Sequence, residues 1–80
     1  MKLFEHPLSP YSQKVKICIY EKGLKFDARM PFLEPDEEFL RVSPLREIPV
    51  LVDGDTVVTN SPFIIQYLEE KFPELPSVLP

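Results

Sequence analysis

A short polar turn near the amino terminus carries the residues that are best placed for thiol chemistry. Ser9-Pro10-Tyr11-Ser12 stands between a predicted strand and a predicted helix. Unpaired N–H groups and the dipole at the start of a helix favour an anion such as a thiolate. The spacing is that of a Cys-Pro-Tyr-Cys redox motif with hydroxyls in place of both sulfurs. Disulfide exchange is therefore excluded, because it needs an attacking thiolate. Ser9 can donate a hydrogen bond, or it can simply cap the helix.

The remaining soft side chains of the sequence offer little further chemistry. Cys18 is the one cysteine and His6 the one histidine, so neither an internal disulfide nor a closed zinc site can form. Cys18 falls on the apolar face of the predicted helix and is expected to be buried and inert. His6 is expected in a loop. We predict no metal and, by default, a reduced, cytoplasmic setting.

Length and composition restrict the function classes. Eighty residues provide one domain, and 44% apolar with 28% charged residues is typical of a globular chain. The net charge of -4 gives no electrostatic basis for binding a nucleic acid backbone. Neither an apolar run long enough to span a bilayer nor a signal peptide is evident. Partnership with nucleic acid or membrane is not expected.

The first half of the chain predicts a strand, a helix and a second strand. Lys2–Glu5 forms the first strand, and Lys25–Met30 alternates apolar and charged residues as a half-buried strand does. Between them, a helix runs from Tyr11 to a terminating Gly23. Its apolar face is predicted to consist of Tyr11, Val15, Cys18 and Ile19. This face should pack on the sheet.

The second half predicts a helix, a hairpin and a final helix. Glu34-Pro35-Asp36-Glu37-Glu38 suits the first turn of a short helix that ends before Pro44. Asp53-Gly54-Asp55 joins two strands, Ile48–Val52 and Thr56–Thr59. Ser61 is predicted to cap a last helix that ends at Pro73, and Leu75–Pro80 forms an unpaired tail. The resulting order, βαβαββα, is an α/β fold with a four-stranded mixed sheet and three helices.

Five segments in this order, including the Ser9 turn, together resemble the N-terminal thioredoxin-like domain of the cytosolic glutathione transferases. The other four are Lys22-Gly23-Leu24, Arg46-Glu47-Ile48-Pro49-Val50-Leu51, Asn60-Ser61 and Ile65-Gln66-Tyr67-Leu68-Glu69. The resemblance covers practically the whole chain. It implies a thioredoxin-like, glutathione-binding domain over residues 1–73. Residues 74–80 resemble the linker to a C-terminal helical domain that the chain lacks.

The resemblance also implies roles for individual residues. Ser9 matches the serine that donates its hydroxyl proton to the glutathione sulfur in the serine-type classes. Pro49 matches a cis proline, preceded by Ile48, whose backbone binds the cysteine part of glutathione. From the sequence alone, an ordinary trans proline is the commoner alternative. Ser61 matches the serine that holds the γ-glutamyl carboxylate, and Asn60 stands beside it at the glutamyl end. Tyr11 is expected to pack rather than to assist the thiol.

Two of the matched positions depart from the family pattern. Asn60 stands where the family usually has an acidic residue paired with the glutathione amino group, and an amide offers no charge. Glu47 stands where Lys or Gln often reaches the glycine carboxylate, and it would repel that group unless Arg46 compensates. Binding of the glutathione amino group is therefore expected to be weakened.

By this resemblance the chain belongs to an enzyme of cytoplasmic detoxification. The bound glutathione thiolate would attack a small electrophile, with glutathione as cosubstrate and no metal. The electrophile pocket would come from the helical domain, so the 80-residue piece should have weak activity or none. Its exposed helices would seek a partner or a second copy as a homodimer. The alternative is a non-catalytic interaction or regulatory module, since fold alone does not determine function.

Overall fold

The computed structural model describes residues 1–31 and 36–74. The expectations for Glu34-Pro35 and for the tail Leu75–Pro80 lie outside these ranges. The described elements are, in order, β1 (Lys2–Phe4), α1 (Pro10–Glu21), β2 (Asp27–Arg29), α2 (Glu37–Val42), β3 (Val50–Asp53), β4 (Thr56–Thr59) and α3 (Ser61–Lys71). The predicted order βαβαββα is confirmed.

The four strands form one mixed sheet in the order β2-β1-β3-β4. β1 runs parallel to β2 and antiparallel to β3, and Leu3 lies opposite Ala28 on one side and Leu51 on the other. β3 and β4 form the predicted hairpin, with Gly54 in its turn at a φ of 61°. A positive φ is costly for most residues and free for glycine, which explains the Asp-Gly signal.

Side chains that alternate along β1 divide the core between the two faces of the sheet. Leu3 belongs to the larger cluster, in which α1 and α3 cover one face. The fully buried members of that cluster are Leu3, Val15, Cys18, Ile19, Leu51, Ile64 and Leu68. Phe4 points to the other face, where it packs against Phe39 of α2 with ring centroids 5.3 Å apart. The sheet thus lies between α1 and α3 on one face and α2 on the other.

A buried ion pair joins α1 to α3 behind the larger cluster. The Lys22 side chain is completely buried, and its Nζ lies 3.2 Å from Glu69 Oε1. Lys22 Nζ also donates to the Phe72 carbonyl oxygen at 3.4 Å. These contacts link the carboxyl ends of the two helices. Within the described ranges, none of the helices is long and apolar enough to cross a membrane.

The structure contradicts the sequence predictions for Tyr11 and for the second strand. Tyr11 is 59% exposed and lies outside the core, since it stands at the open end of α1. Ser12 is buried instead, and its hydroxyl accepts a bond from the His6 N–H at 3.4 Å. The second strand is shorter than predicted, and Ala28 within it is exposed because β2 is an edge strand with one neighbour. The predicted burial of Cys18 is confirmed.

Candidate functional site

One cavity of about 510 Å³ opens where the amino-terminal ends of α1 and α3 meet the loop before β3. Its volume falls within the roughly 300 to 1,000 Å³ that is usual for small-molecule sites. The described residues that line it are Tyr11, Lys14, Glu47, Ile48, Pro49, Asn60, Ser61, Pro62 and Phe63. Three separate segments of the chain therefore converge on one space.

The first wall is the loop that enters β3. The Ile48–Pro49 peptide bond is cis, as the resemblance implied. Pro49 is buried, and the half-buried Ile48 packs against the Phe4 cluster, so this wall is anchored in the core. Glu47 is exposed at the rim of the cavity. The same wall also faces a smaller cavity of about 150 Å³ on the α2 side.

The second wall is the junction of β4 and α3. Asn60 is the N-cap of α3, so the prediction that Ser61 caps this helix is wrong by one residue. Asn60 has a φ of 69°, a left-handed conformation that asparagine tolerates better than most side chains. Its side chain makes no capping hydrogen bond, while its carbonyl accepts the first helical bond from Ile64 N at 3.0 Å. Ser61 is the first helical residue and is 5% exposed.

The third wall is the first turn of α1. Tyr11 and Lys14 line the cavity, and their spacing of three residues puts them on one helix face. Tyr11 was expected to pack in the core, and Lys14 was not singled out from the sequence. Both residues lie on an exposed face of α1. They can be recognised as lining a cavity only when the position of the Ile48–Pro49 loop is known.

Ser9 is half-buried at the start of α1 but is not among the described residues that line this cavity. Its Oγ accepts a hydrogen bond from Ser12 N at 3.2 Å, which confirms the capping alternative. A serine hydroxyl can accept a bond and still donate its own proton. The structure therefore brings together five of the six predicted site residues, with Ser9 two residues before the Tyr11 wall.

Charge in the cavity is sparse. Lys14 and Glu47 are the two charged residues among its described lining, whereas Asn60 and Ser61 contribute neutral polar groups. Residues 1–31 and 36–74 contain no cluster of three or more side chains suited to a metal ion. The arrangement suits a polar, flexible ligand that bonds to backbone groups and to two helix ends.

The fold and site together define a thioredoxin-like domain, a class matched by solved structures. The structure of a rice glutathione S-transferase in complex with glutathione superposes with a TM-score of 0.85 at 37% identity, covering 99% of this chain and 36% of that one. A glutathione S-transferase from Rhodospirillum rubrum F11 gives a TM-score of 0.81 at 40% identity, covering 99% of this chain and 36% of that one.

Sequence comparisons give the family. Residues 3–76 match the model of the glutathione S-transferase N-terminal domain. A glutathione S-transferase of Dianthus caryophyllus is 45% identical over 95% of this chain and 36% of its own length. A stringent starvation protein A homolog of Coxiella burnetii is 38% identical over all of this chain and 38% of its own length. The chain belongs to the glutathione S-transferase N-terminal domain family, and it spans little more than a third of these relatives.

Proposed function

We propose that this chain is the glutathione-binding domain of a glutathione transferase. The observation that carries the proposal is the convergence of Glu47, Ile48, Pro49, Asn60 and Ser61 on one cavity. These residues come from two segments separated by a hairpin, and the resemblance had assigned all five to glutathione. Family membership and a rice relative solved with glutathione support the same ligand.

The amino-terminal end of α3 is suited to the γ-glutamyl carboxylate. Ser61 offers a hydroxyl and a backbone N–H there, and the helix dipole favours a negative charge by roughly 0.3 to 1 kcal/mol. The Asn60 side chain is not used in capping, so its carbonyl oxygen is available to accept from the ligand's amino group. Asparagine supplies no charge for that ammonium, so the amino group of the ligand is held by hydrogen bonds alone.

The middle of the tripeptide would lie along Ile48. This residue precedes β3, which begins at Val50, so within the described part of the chain the sheet pairing does not include its N–H and C=O. An extended peptide can bond to such a backbone segment as an added strand does. Bonding of this kind would direct the cysteine side chain of the ligand towards the start of α1.

Thiol activation is the proposed role of Ser9. A free thiol has a pKa of about 8.5, and each unit of lowering requires about 1.4 kcal/mol of preferential thiolate stabilisation. A hydrogen bond from the Ser9 hydroxyl and the positive end of α1 would both favour the thiolate. Among the described residues, the hydrogen bond at the Ser9 hydroxyl is one that it accepts from Ser12 N, so its proton is available to the sulfur.

The reaction proposed for the whole protein is thiolate attack on a small electrophile. A carbon–sulfur bond forms, and a leaving group departs or the electrophile takes up the electron pair. Exposed apolar side chains on α1 and α3, among them Ile17, Tyr20 and Phe63, would be covered by a C-terminal helical domain or a second copy. We place the protein in the cytoplasm, where the single thiol of this chain would stay reduced. Residues 1–73 form the domain in this proposal, and residues 74–80 begin the linker.

A titration of this chain with glutathione tests the binding step. Backbone amide shifts are followed by NMR at Ser9, Ile48 and Ser61, with the exposed hairpin residue Asp55 as an internal control. Saturating shifts at the three site residues, with none at Asp55, are expected at millimolar ligand. Absence of shifts at that concentration contradicts the proposal.

A non-catalytic interaction module is the second candidate. The Coxiella burnetii relative is named for stringent starvation and not for a transferase. Asn60 and Glu47 also lack the charges that would suit the two ends of glutathione. The same titration separates the candidates, because a module of this kind predicts no binding of glutathione at Ile48 or Ser61.

A further inference from the structure

The loop that forms the first wall of the cavity has little regular structure of its own. It runs from the end of α2 at Val42 to the start of β3 at Val50. Arg46 within it has a φ of 58°, which is unfavourable for a residue other than glycine. A loop with a left-handed arginine needs contacts that fix its path, since neither helix nor sheet hydrogen bonds extend through it.

Ser43 supplies those contacts. Its hydroxyl donates to the Glu47 carbonyl oxygen at 3.0 Å and accepts from the Glu47 backbone N–H at 2.9 Å. The Ser43 carbonyl also accepts from Arg46 N at 2.9 Å, and its own N–H donates to Phe39 O at 2.7 Å. Ser43 is 6% exposed. One side chain thus binds both polar backbone groups of Glu47 and holds them to the end of α2.

We propose that Ser43 is a positioning residue for the ligand site. By fixing both backbone groups of Glu47, it sets the direction of the next residue, Ile48, whose N–H and C=O are to meet the ligand. The identity of the ligand in this inference rests on the proposed function. The effect of Ser43 on the loop does not. A hydroxyl is required because one atom must donate and accept at once. Threonine keeps that ability, whereas alanine has none.

Three variants of the full 80-residue chain test the inference: Ser43→Ala, Ser43→Thr and Asp36→Ala. Asp36 caps the other end of α2, where its Oδ1 accepts from Phe39 N at 3.0 Å, and it does not line either cavity described above. Asp36→Ala is therefore a matched control that weakens the same helix without touching the loop. Should Ser43→Ala fail to fold, Ser43→Cys takes its place, because a thiol is only a weak donor and acceptor.

The first measurement is the Kd for glutathione from amide-shift titration. Loss of two hydrogen bonds should raise the Kd by about tenfold in Ser43→Ala, and Ser43→Thr should restore it to within about twofold. Asp36→Ala should lower stability while leaving the Kd unchanged. Wild-type affinity in Ser43→Ala, or an equal loss in Asp36→Ala, would overturn the inference.

The second measurement needs no ligand. Amide hydrogen exchange at Glu47, whose N–H is bonded to the Ser43 hydroxyl, should accelerate by at least about tenfold in Ser43→Ala relative to α3 amides, and Ser43→Thr should reverse this. Unchanged exchange at Glu47 overturns the positioning role even if glutathione binds. Faster exchange in a chain that does not bind glutathione supports the control of the loop by Ser43 and contradicts the proposed function instead.

Discussion

The Ser9 hydroxyl accepts a hydrogen bond from the backbone N–H of Ser12 at 3.2 Å. This contact makes Ser9 the N-cap of α1, with a β-region φ of -84° and ψ of 118°. The bond uses a lone pair and leaves the hydroxyl proton free. Capping and donation to a ligand sulfur are thus separable functions of one side chain, and different substitutions should remove them separately.

Ser9→Ala should lose both functions, whereas Ser9→Asp should lose only donation. Alanine removes the cap and should lower the free energy of unfolding by about 1 kcal/mol. Aspartate is an equally good cap, but it brings no proton and its negative charge opposes a neighbouring thiolate. With either variant, the thiolate fraction of bound glutathione near neutral pH should fall by at least about tenfold.

Urea unfolding measures the first effect, and the ultraviolet absorbance of the bound thiolate measures the second. In a longer protein that carries the helical domain, conjugation should fall at least about tenfold in both variants. If the thiolate fraction of bound glutathione is the same in Ser9→Asp as in the wild type, Ser9 has no part in the proposed thiol activation and serves only as a helix cap.

Glu47→Gln should strengthen glutathione binding. Glu47 is the only negatively charged residue among the described lining of the larger cavity, and it should repel the glycine carboxylate of the ligand. Removal of the charge should lower the Kd by about two- to fivefold at low salt, with less gain at high salt. Glu21→Gln, which removes an exposed charge at the other end of α1, is the matched control. An equal gain in that control would show a net-charge effect instead of a local one.

Asn60→Asp should supply the charge that the glutamyl end lacks. The two side chains have nearly the same shape, and both tolerate the left-handed φ of 69° found at this position. A charge-assisted bond to the ammonium of glutathione should lower the Kd by about three- to tenfold. Glutathione with an acylated amine carries no such charge and serves as the control ligand. If the acylated ligand gains as much affinity, Asn60 does not face the amino group.

Local signals in the sequence were sufficient to predict the order of the elements. These signals are the positions of the prolines and glycines, the Asp-Gly turn and the helical spacing of the apolar residues Val15, Cys18 and Ile19. Each acts over a few residues, so it can be recognised without knowledge of the tertiary structure. The exposure of Ala28 could not be predicted in this way. It depends on the edge position of β2 in the sheet, which the strand pattern alone does not reveal.

The site was predictable only in part, because its walls are distant in sequence. The resemblance identified Ile48, Pro49 and Ser61 at positions where the structure brings them to one cavity. Lys14 and the exposure of Tyr11 depend on which face of α1 remains uncovered beside that loop. Ser43 gave no local signal, since its two bonds to Glu47 need the turn that Arg46 makes.

Cys18 should resist thiol reagents in the folded chain. Burial raises the pKa of its thiol, the nearby Glu69 carboxylate raises it further, and the Lys22 ammonium opposes them. The side chain is also completely buried, so reaction requires opening of the structure. Labelling with a chromogenic disulfide should be at least about a hundredfold slower in the native chain than in guanidinium. Since the chain has one cysteine, all signal reports this site. Rapid labelling of the native chain would contradict its burial between α1 and the sheet.

The contact of Asp53 with Tyr67 and Lys71 should make stability depend on acid. Tyr67 donates its hydroxyl proton to Asp53 Oδ2 at 2.6 Å, and the Lys71 ammonium contacts the same oxygen. Hydrogen bonds from Lys71 and then from Tyr67 lower the pKa of the Asp53 carboxyl below its usual 3.8. The stabilisation is therefore present above pH 3.8 and is lost as the pH falls through the lower, folded-state pKa.

This pH dependence is measured as the free energy of unfolding in urea at pH about 6 and about 3, in the wild type and in Asp53→Asn. The wild type should have the larger free energy of unfolding at the higher pH. This advantage over Asp53→Asn should disappear as the pH is lowered, because a protonated carboxyl and an amide are both neutral. High salt should shrink the advantage at the higher pH, since the Lys71 side chain is 44% exposed and its attraction to Asp53 is screened. Asp55→Asn removes an exposed carboxylate from the adjacent hairpin turn and controls for net charge. A constant difference between wild type and Asp53→Asn at both pH values would mean that Asp53 titrates alike in the folded and unfolded chains, so that its contacts with Tyr67 and Lys71 of α3 do not favour the charged form.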